Sequence, residues 1–236
     1  MIGPRVFAHR GASRRAPDNS RLAFHLAREL GADGVELDVR VSADRELVVV
    51  HDAHYADGRS VDSAPAAERP ADVLLLEDAL DECVGLVVNA ELKNELGEPA
   101  YDLGLADLFV AAIRQRSNRG AGDELLVSSF DHATLARVHA LHPSLATAQL
   151  TFVLDDPGAV IAAAAAAGHV ALHPFDATVD ETLVRTAHAA GRAVNVWTVD
   201  DPDRIAALAG LGVDGICTNV PDVAAEVIRR SAPPGR

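Results

Sequence analysis

The chain has 236 residues, of which 49% are hydrophobic and 24% are charged, as is ordinary for a globular protein. Its net charge of −14 argues against a protein that binds nucleic acid and against stable association with anionic membranes. An anionic substrate is still allowed, because a bound divalent cation reverses the charge locally. The two cysteines, Cys83 and Cys217, lie far apart in apolar surroundings and are expected to be buried, reduced thiols.

The first residues run directly into a strand-like segment, so we expect no signal peptide. The longest apolar stretch, 159–168, is alanine-rich and too short to span a bilayer. We therefore expect a cytoplasmic protein that acts on a small molecule. The sequence pattern gives no indication of the oligomeric state.

Eight strands are predicted from short apolar runs rich in β-branched residues. They lie at 5–9, 34–41, 85–93, 124–130, 145–151, 169–175, 193–199 and 213–219. Stretches with helical spacing follow them, at 19–30, 76–83, 101–116, 131–141, 157–167, 179–190, 202–209 and 221–230. Because parallel strands need crossover helices, this rhythm predicts an α/β fold, the (β/α)8 TIM barrel.

One part of the chain departs from this rhythm. The second strand is followed by a further extended segment at 46–51, and residues 52–72 then show little periodicity. This pattern predicts a reduced insertion after the second barrel strand rather than a second domain. We expect a single TIM-barrel domain over residues 1–230 and a disordered tail over residues 231–236.

Paired carboxylates are the strongest chemical signal. Glu36 and Asp38 are two residues apart on a predicted strand, so their side chains point to one face, and Glu91 and Lys93 repeat the spacing. Three acids at adjacent strand ends predict an oxygen-ligand site for Mg²⁺ or Ca²⁺. The alternative is an internal salt bridge, in which Glu36 or Asp38 pairs with Arg40 or Lys93. The metal site is favoured because one lysine cannot neutralise three acids.

Two of the ten histidines, His9 and His51, each end an extended segment beside these acids. An imidazole at such a position serves as acid or base near neutral pH. Arg10 can hold phosphate oxygens bidentately, and Gly11 allows a close backbone approach. The only tryptophan, Trp197, is equally compatible with packing in the barrel mouth and with forming a pocket wall.

Several motifs, in order along the chain, resemble the glycerophosphodiester phosphodiesterase family. They are HRG (9–11), PDNS (17–20), ELDV (36–39), HD (51–52), ELK (91–93), WTVD (197–200) and DGICTN (214–219). Each motif alone is weak, but the ordered set is highly specific and covers nearly the whole chain. The resemblance implies a TIM barrel that hydrolyses glycerophosphodiesters to glycerol 3-phosphate and an alcohol with a divalent cation.

The resemblance also implies a role for eight residues. By matching position, the family's metal ligands correspond to Glu36, Asp38 and Glu91, and its acid/base pair corresponds to His9 and His51. Its phosphate contacts correspond to Arg10 and Lys93, and its pocket wall corresponds to Trp197. Asp18 and Asn219 depart from the family pattern, which usually has Glu and Asp there. The stretch 52–76 is shorter than the usual insertion, which implies a more open mouth.

Other functions remain in competition. A lysophospholipase D would keep the chemistry and accept a substrate with one acyl chain. A non-catalytic barrel that binds metal or phosphate would have little need of two acid/base histidines. A barrel lyase or aldolase would need a Schiff-base lysine, and the only lysine, Lys93, is expected to stay protonated beside Glu91.

Overall fold

Eight parallel strands close into a barrel in the computed structural model, which describes residues 3–94, 101–102 and 104–231. In chain order the strands of the described residues are β1 (Arg5–His9), β2 (Gly34–Val41), β3 (Leu47–Val49), β4 (Leu74–Leu75), β5 (Val87–Leu92), β6 (Glu124–Ser129), β7 (Ala146–Thr151), β8 (Ala171–Pro174), β9 (Ala193–Val196) and β10 (Gly215–Thr218). The barrel runs β1-β10-β9-β8-β7-β6-β5-β2 and closes where β2 pairs in parallel with β1. The predicted (β/α)8 barrel is therefore confirmed.

Helices cover the outside of the barrel. They are α1 (Arg21–Glu29), α2 (Leu76–Glu82), α3 (Leu105–Asn118), α4 (His132–Leu141), α5 (Pro157–Ala166), α6 (Glu181–Ala189), α7 (Pro202–Leu211) and α8 (Pro221–Ser231). Ser20 caps α1 and Asp131 caps α4, each by accepting a hydrogen bond from a backbone N–H of the first turn. Ser231 still belongs to α8, and the rest of the predicted tail, 232–236, lies outside the described residues.

The main apolar core lies between the strands and these helices, around fully buried side chains such as Phe24, Leu37 and Phe109. Inside the barrel, one aromatic ring fills the space near the amino ends of the strands. A Cβ atom on Gly34 would lie 2.8 Å from two ring carbons of Phe7, and one on Gly215 would lie 3.0 Å from a third. Glycine on both neighbouring strands therefore makes room for the Phe7 ring.

The reduced insertion is more ordered than the lack of periodicity indicated. β3 pairs antiparallel with β2, and β4 pairs antiparallel with β3. Between them lie two short 3₁₀ turns, Val61–Ser63 and Ala66–Glu68. A small separate apolar cluster supports the insertion, formed by Val48, Tyr55, Val61, Ala64 and Ala66.

Cys83 and Cys217 are buried free thiols, as expected. Among the described helices, none combines the length and the apolar character needed to cross a membrane.

Candidate active site

Three carboxylates converge at the carboxyl ends of β2 and β5. The two strands pair in parallel with Asp38 opposite Glu91, and Glu36 shares the face of Asp38 because strand side chains alternate. One oxygen from each of the three residues lies within 4.8 Å of the others. Glu36 is 4% exposed and Asp38 is 1% exposed, so the charge is held inside the barrel mouth.

The cluster fits a divalent cation. Burial raises the pKa of Glu36 well above its usual value, and the nearby Asp38 and Glu91 raise it further. Glu36 Oε1 is buried and has no hydrogen-bond partner among the described residues. An all-oxygen donor set suits Mg²⁺ or Ca²⁺, and a hard cation would give this oxygen a partner and remove the repulsion.

Arg10 lies against the cluster on one side. Its Nε is 3.3 Å from Asp38 Oδ2, and its backbone N–H donates to Glu36 Oε2 at 3.0 Å. The guanidinium also donates to Asp18 Oδ2 at 3.1 Å. The turn after β1 allows this because Arg10 and Gly11 both have positive φ, and a Cβ on Gly11 would lie within 2.8 Å of α1.

Lys93 closes the other side of the cluster. Its Nζ donates to Glu91 Oε1 at 2.8 Å, and the side chain is 5% exposed. Two salt bridges lie at the cluster, Arg10 with Asp38 and Lys93 with Glu91, and they differ from the pairs weighed as an alternative, which joined Glu36 or Asp38 to Arg40 or Lys93. They occur together with the unpartnered Glu36 oxygen, so they do not remove the case for a cation.

His9 is oriented by a chain of hydrogen bonds. The backbone and side-chain N–H groups of Asn219 each donate to the Asp200 carboxylate at 2.8 Å, which turns Asn219 Oδ1 toward His9 Nδ1 at 2.7 Å. Because this oxygen can only accept, His9 carries its proton on Nδ1. His9 Nε2 then points its lone pair toward Glu36, 4.0 Å away. Burial lowers the pKa of His9, and the nearby Arg10 lowers it further.

His51 lies in a wetter position than His9. Its Nδ1 is 2.6 Å from Asp52 Oδ1, and its backbone carbonyl accepts from Arg40 Nε at 2.8 Å. It borders a cavity of about 520 Å³ between the turn after β1 and the insertion, and Arg10 borders the same cavity.

Trp197 borders a small cavity of about 30 Å³ together with His9, Glu36 and Glu91. Its indole N–H donates to the backbone carbonyl of His173 at 2.8 Å. The side chain thus packs in the barrel mouth and also borders this cavity.

Several contacts at the site were not predicted. Asn19 donates from Nδ2 to Asp38 Oδ2 at 2.9 Å. The link from Asp200 through Asn219 to His9 joins residues 210 positions apart. The sequence signal that could have placed Asn219 at the site is its position directly after β10. All loops that follow the strands of such a barrel lie at the carboxyl face, where the site is.

Residues 9–68 and 54–223 match the glycerophosphoryl diester phosphodiesterase family. The chain is 30% identical to the glycerophosphodiester phosphodiesterase of Bacillus altitudinis, over 94% of this chain and 97% of that protein. It is also 30% identical to the glycerophosphodiester phosphodiesterase of Caldanaerobacter subterraneus, over 95% and 98%.

A phosphodiesterase of Oleispira antarctica, solved in complex with the product sn-glycerol-3-phosphate, superposes with a TM-score of 0.85 at 26% identity, over 96% of this chain and 97% of that one. These similarities confirm the predicted resemblance and the predicted enzyme class, a phosphodiesterase. The chain belongs to the glycerophosphoryl diester phosphodiesterase family.

Proposed function

We propose that the protein hydrolyses glycerophosphodiesters to glycerol 3-phosphate and an alcohol, with a divalent cation and histidine acid/base catalysis. The observation that carries this proposal is the convergence of Glu36, Asp38 and Glu91 within 4.8 Å. Arg10 and Lys93 lie on either side of it, and His9 points its free nitrogen toward it. The names of the two relatives and the product bound to the Oleispira antarctica protein support the substrate class.

The three carboxylates would hold Mg²⁺ or Ca²⁺. When bound, the cation supplies positive charge that stabilises the phosphate in the transition state. Arg10 and Lys93 bind the remaining phosphate oxygens, and their positions are fixed by Asp38 and Glu91 before the substrate arrives.

The two histidines divide the proton transfers. His9 Nε2 accepts the proton of the attacking hydroxyl, because Asn219 holds the other ring proton on Nδ1. An oxygen–phosphorus bond forms as the bond from phosphorus to the alcohol oxygen breaks. His51, whose Nδ1 lies 2.6 Å from Asp52 Oδ1, donates a proton to that leaving oxygen. The attacking hydroxyl belongs to water or to the glycerol part of the substrate, and a cyclic phosphate product distinguishes the two.

The test is turnover of glycerophosphocholine by purified protein after EDTA treatment, with and without added Mg²⁺ or Ca²⁺. We expect activity that depends on the added cation and is lost in His9→Ala. His25→Ala is the matched control, since His25 is exposed on α1. Activity that survives thorough chelation, or a fully active His9→Ala, would contradict the proposal.

A further inference from the structure

The two histidines of the site are held in different ways. His9 contacts Asn219, which is fixed in turn by Asp200. The ring of His51 contacts Asp52, whose side chain is 78% exposed, and the His51 side chain is itself 37% exposed. An exposed charged pair does little to fix geometry, because water competes for both groups. A firm position for His51 therefore has to come from its backbone.

The backbone leaves the sheet at His51. Up to this point β3 is paired with β2, and the pairing extends to the bond from Val50 N–H to the Asp38 carbonyl at 3.0 Å. Residues 51–53 form a bend, after which the Ala53 carbonyl accepts a backbone hydrogen bond at 2.9 Å. His51 thus lies where the strand pairing no longer fixes the chain.

Arg40 holds the backbone at this point. It lies on β2 opposite Val48, between two residues that also pair with β3, and it is 4% exposed. Its Nε donates to the His51 carbonyl at 2.8 Å. The guanidinium is planar and rigid, so this bond from a buried residue of the sheet fixes the orientation of the accepting peptide group. The Cβ atom belongs to the same residue, so the direction of the imidazole is fixed with it.

Arg40 also acts on the partner of the His51 ring. The hydrogen bond with His51 lowers the pKa of Asp52, and the charges of His51, Arg10 and Arg40 lower it further. Asp52 is therefore a carboxylate near neutral pH, and a carboxylate can only accept. It accepts the Nδ1–H of His51 at 2.6 Å, so Nε2 is the ring nitrogen left to exchange a proton.

We propose that Arg40 is a positioning residue that holds His51 where its Nε2 gives a proton to the leaving alcohol oxygen. The inference rests on the proposed function, in which His51 is that acid. An alkoxide must be protonated as its bond to phosphorus breaks, whereas p-nitrophenolate leaves as a stable anion. Arg40 should therefore matter for an alkyl ester and matter little for the p-nitrophenyl ester of glycerol 3-phosphate.

Two other roles of Arg40 compete with this one. Arg40 shares one face of β2 with Glu36 and Asp38, from which it would bind the phosphate or offset the charge of the cluster. Either role would affect both esters equally, because each brings the same phosphate to the same site. The bond of 2.8 Å to the His51 carbonyl favours the positioning role.

The first experiment measures kcat/KM, with Mg²⁺ or Ca²⁺ present, for glycerophosphocholine and for the p-nitrophenyl ester. We expect Arg40→Met to lower the value for glycerophosphocholine by about tenfold to a hundredfold, and the value for the p-nitrophenyl ester by less than about threefold. Arg40→Lys keeps the charge and a donor and should recover part of the loss. Both variants are judged by the same ratio, so the test stands if one of them does not fold.

Arg69→Met is the matched control. Arg69 lies in the same insertion, and its Nε also donates to a backbone carbonyl at 2.8 Å, that of Val73. Because this carbonyl does not belong to His51, the ratio of the two kcat/KM values should stay as in the wild type.

The second experiment adds Arg40→Met to His51→Ala. This background keeps the carbonyl that Arg40 binds and lacks only the ring, so a purely structural contribution of the bond would still be lost. We expect a further change of less than about twofold on glycerophosphocholine, because the two residues act as one unit. A second loss as large as the first would overturn the inference.

Equal losses on the two esters in Arg40→Met would overturn it as well, since they would place Arg40 at the phosphate or the cation. If His51→Ala spares the p-nitrophenyl ester while Arg40→Met does not, the inference fails and the proposed function stands. If His51→Ala lowers both values equally, His51 is not the acid, and the proton transfers of the proposed function fail together with the inference.

Discussion

The two ends of the barrel differ in what their cavities contain. At the amino ends of the strands a cavity of about 1030 Å³ opens, and barrel residues such as Ala146, Ala171 and Ala193 border it. At the carboxyl ends the cavities are about 520 Å³ and about 30 Å³, and they are bordered by Arg10 and by Glu36. Of these cavities, the largest is thus at the end where small apolar side chains such as Ala146 and Ala171 border it.

The two ends of the barrel also differ in how their charged side chains are compensated. Near the amino ends, Arg5 and Glu124 form an exposed ion pair, and the buried Arg116 is compensated by Asp123 at 2.7 Å. At the carboxyl ends, Glu36 and Asp38 are almost completely buried. Water screens an exposed pair, whereas buried charge is costly unless a partner compensates it. The buried Glu36 Oε1, which has no hydrogen-bond partner among the described residues, therefore marks the site better than cavity volume does.

The sharpest test of this contrast is Glu36→Gln. The substitution removes one carboxylate of the cluster, so we expect kcat/KM to fall on the order of a thousandfold. We also expect the rise in Tm caused by Mg²⁺ or Ca²⁺ to disappear, because that rise comes from binding to the folded state. Glu124→Gln, which changes an exposed acid at the opposite end, should keep both properties. A Glu36→Gln protein still stabilised by the cation would show that the cluster does not hold it.

The second prediction concerns Asn219→Asp. The new carboxylate would lie 2.8 Å from Asp200 and beside His9. It should raise the pKa of His9, so that more imidazole is protonated near neutral pH and kcat/KM falls about tenfold there, with recovery as the pH rises. Adding Asp200→Asn leaves the new carboxylate beside His9 and removes only its repulsive neighbour, so the shift of the pH profile should persist. An unchanged profile in the single variant would mean that Asn219 does not control His9.

The third prediction concerns His173, which is buried between the two ends. Burial lowers its pKa to about 3, whereas the unfolded chain titrates near its usual value of 6.5. Below pH 6.5 the unfolded state binds the extra proton, so the stability from a neutral His173 is complete above that pH and is lost as the pH falls toward 3.

At up to about 1.4 kcal/mol per pH unit, the loss between pH 7 and pH 5 is roughly 2 kcal/mol. We expect His173→Gln to reduce the pH dependence of the free energy of unfolding by about this amount, as measured by urea denaturation at the two values. His25→Gln, at an exposed position, serves as the comparison. Equal slopes in wild type and His173→Gln would exclude the buried imidazole as the source.

The smallest effect is expected at the amino ends of the strands. Ala146→Val adds two methyl groups at the edge of the 1030 Å³ cavity. Because space is available and no charge is involved, the free energy of unfolding should change by less than about 1 kcal/mol. Activity on glycerophosphocholine should stay within about twofold of wild type. A large loss of activity would show that this end of the barrel contributes to function.

The barrel and its carboxylates could be predicted because both depend on local periodicity. Side chains alternate along β2, so Glu36 and Asp38 lie on one face independently of the contacts that the rest of the chain makes. The contact of His9 with Asn219 could not be predicted in this way, because it depends on how 210 intervening residues close the barrel. The pairing of β3 with β4 was also missed, since β4 has only two residues and carries no periodic signal.

A further limit of sequence reasoning is shown by the aromatic wall, as we call the four residues that directly follow β6, β7, β8 and β9, namely Phe130, Phe152, Phe175 and Trp197. Phe152 and Phe175 are 23 residues apart, and each alone looks like an ordinary apolar residue at the end of a strand. Their meaning appears only when neighbouring strands bring the rings within 4.8 Å. Exposure, which separates such a wall from a core, is a property of the assembled barrel.

The charged and aromatic groups occupy different arcs of the barrel rim. The carboxylates and His9 come from β1, β2 and β5, whereas the aromatic wall follows β6 to β9. The two arcs meet where the Phe130 ring lies 5.9 Å from Lys93 Nζ, and where Trp197 borders a cavity with His9 and Glu36. Because the carboxylates lie on β2 and β5, exchanging the loops after β7 and β8 should leave the carboxylate cluster in place.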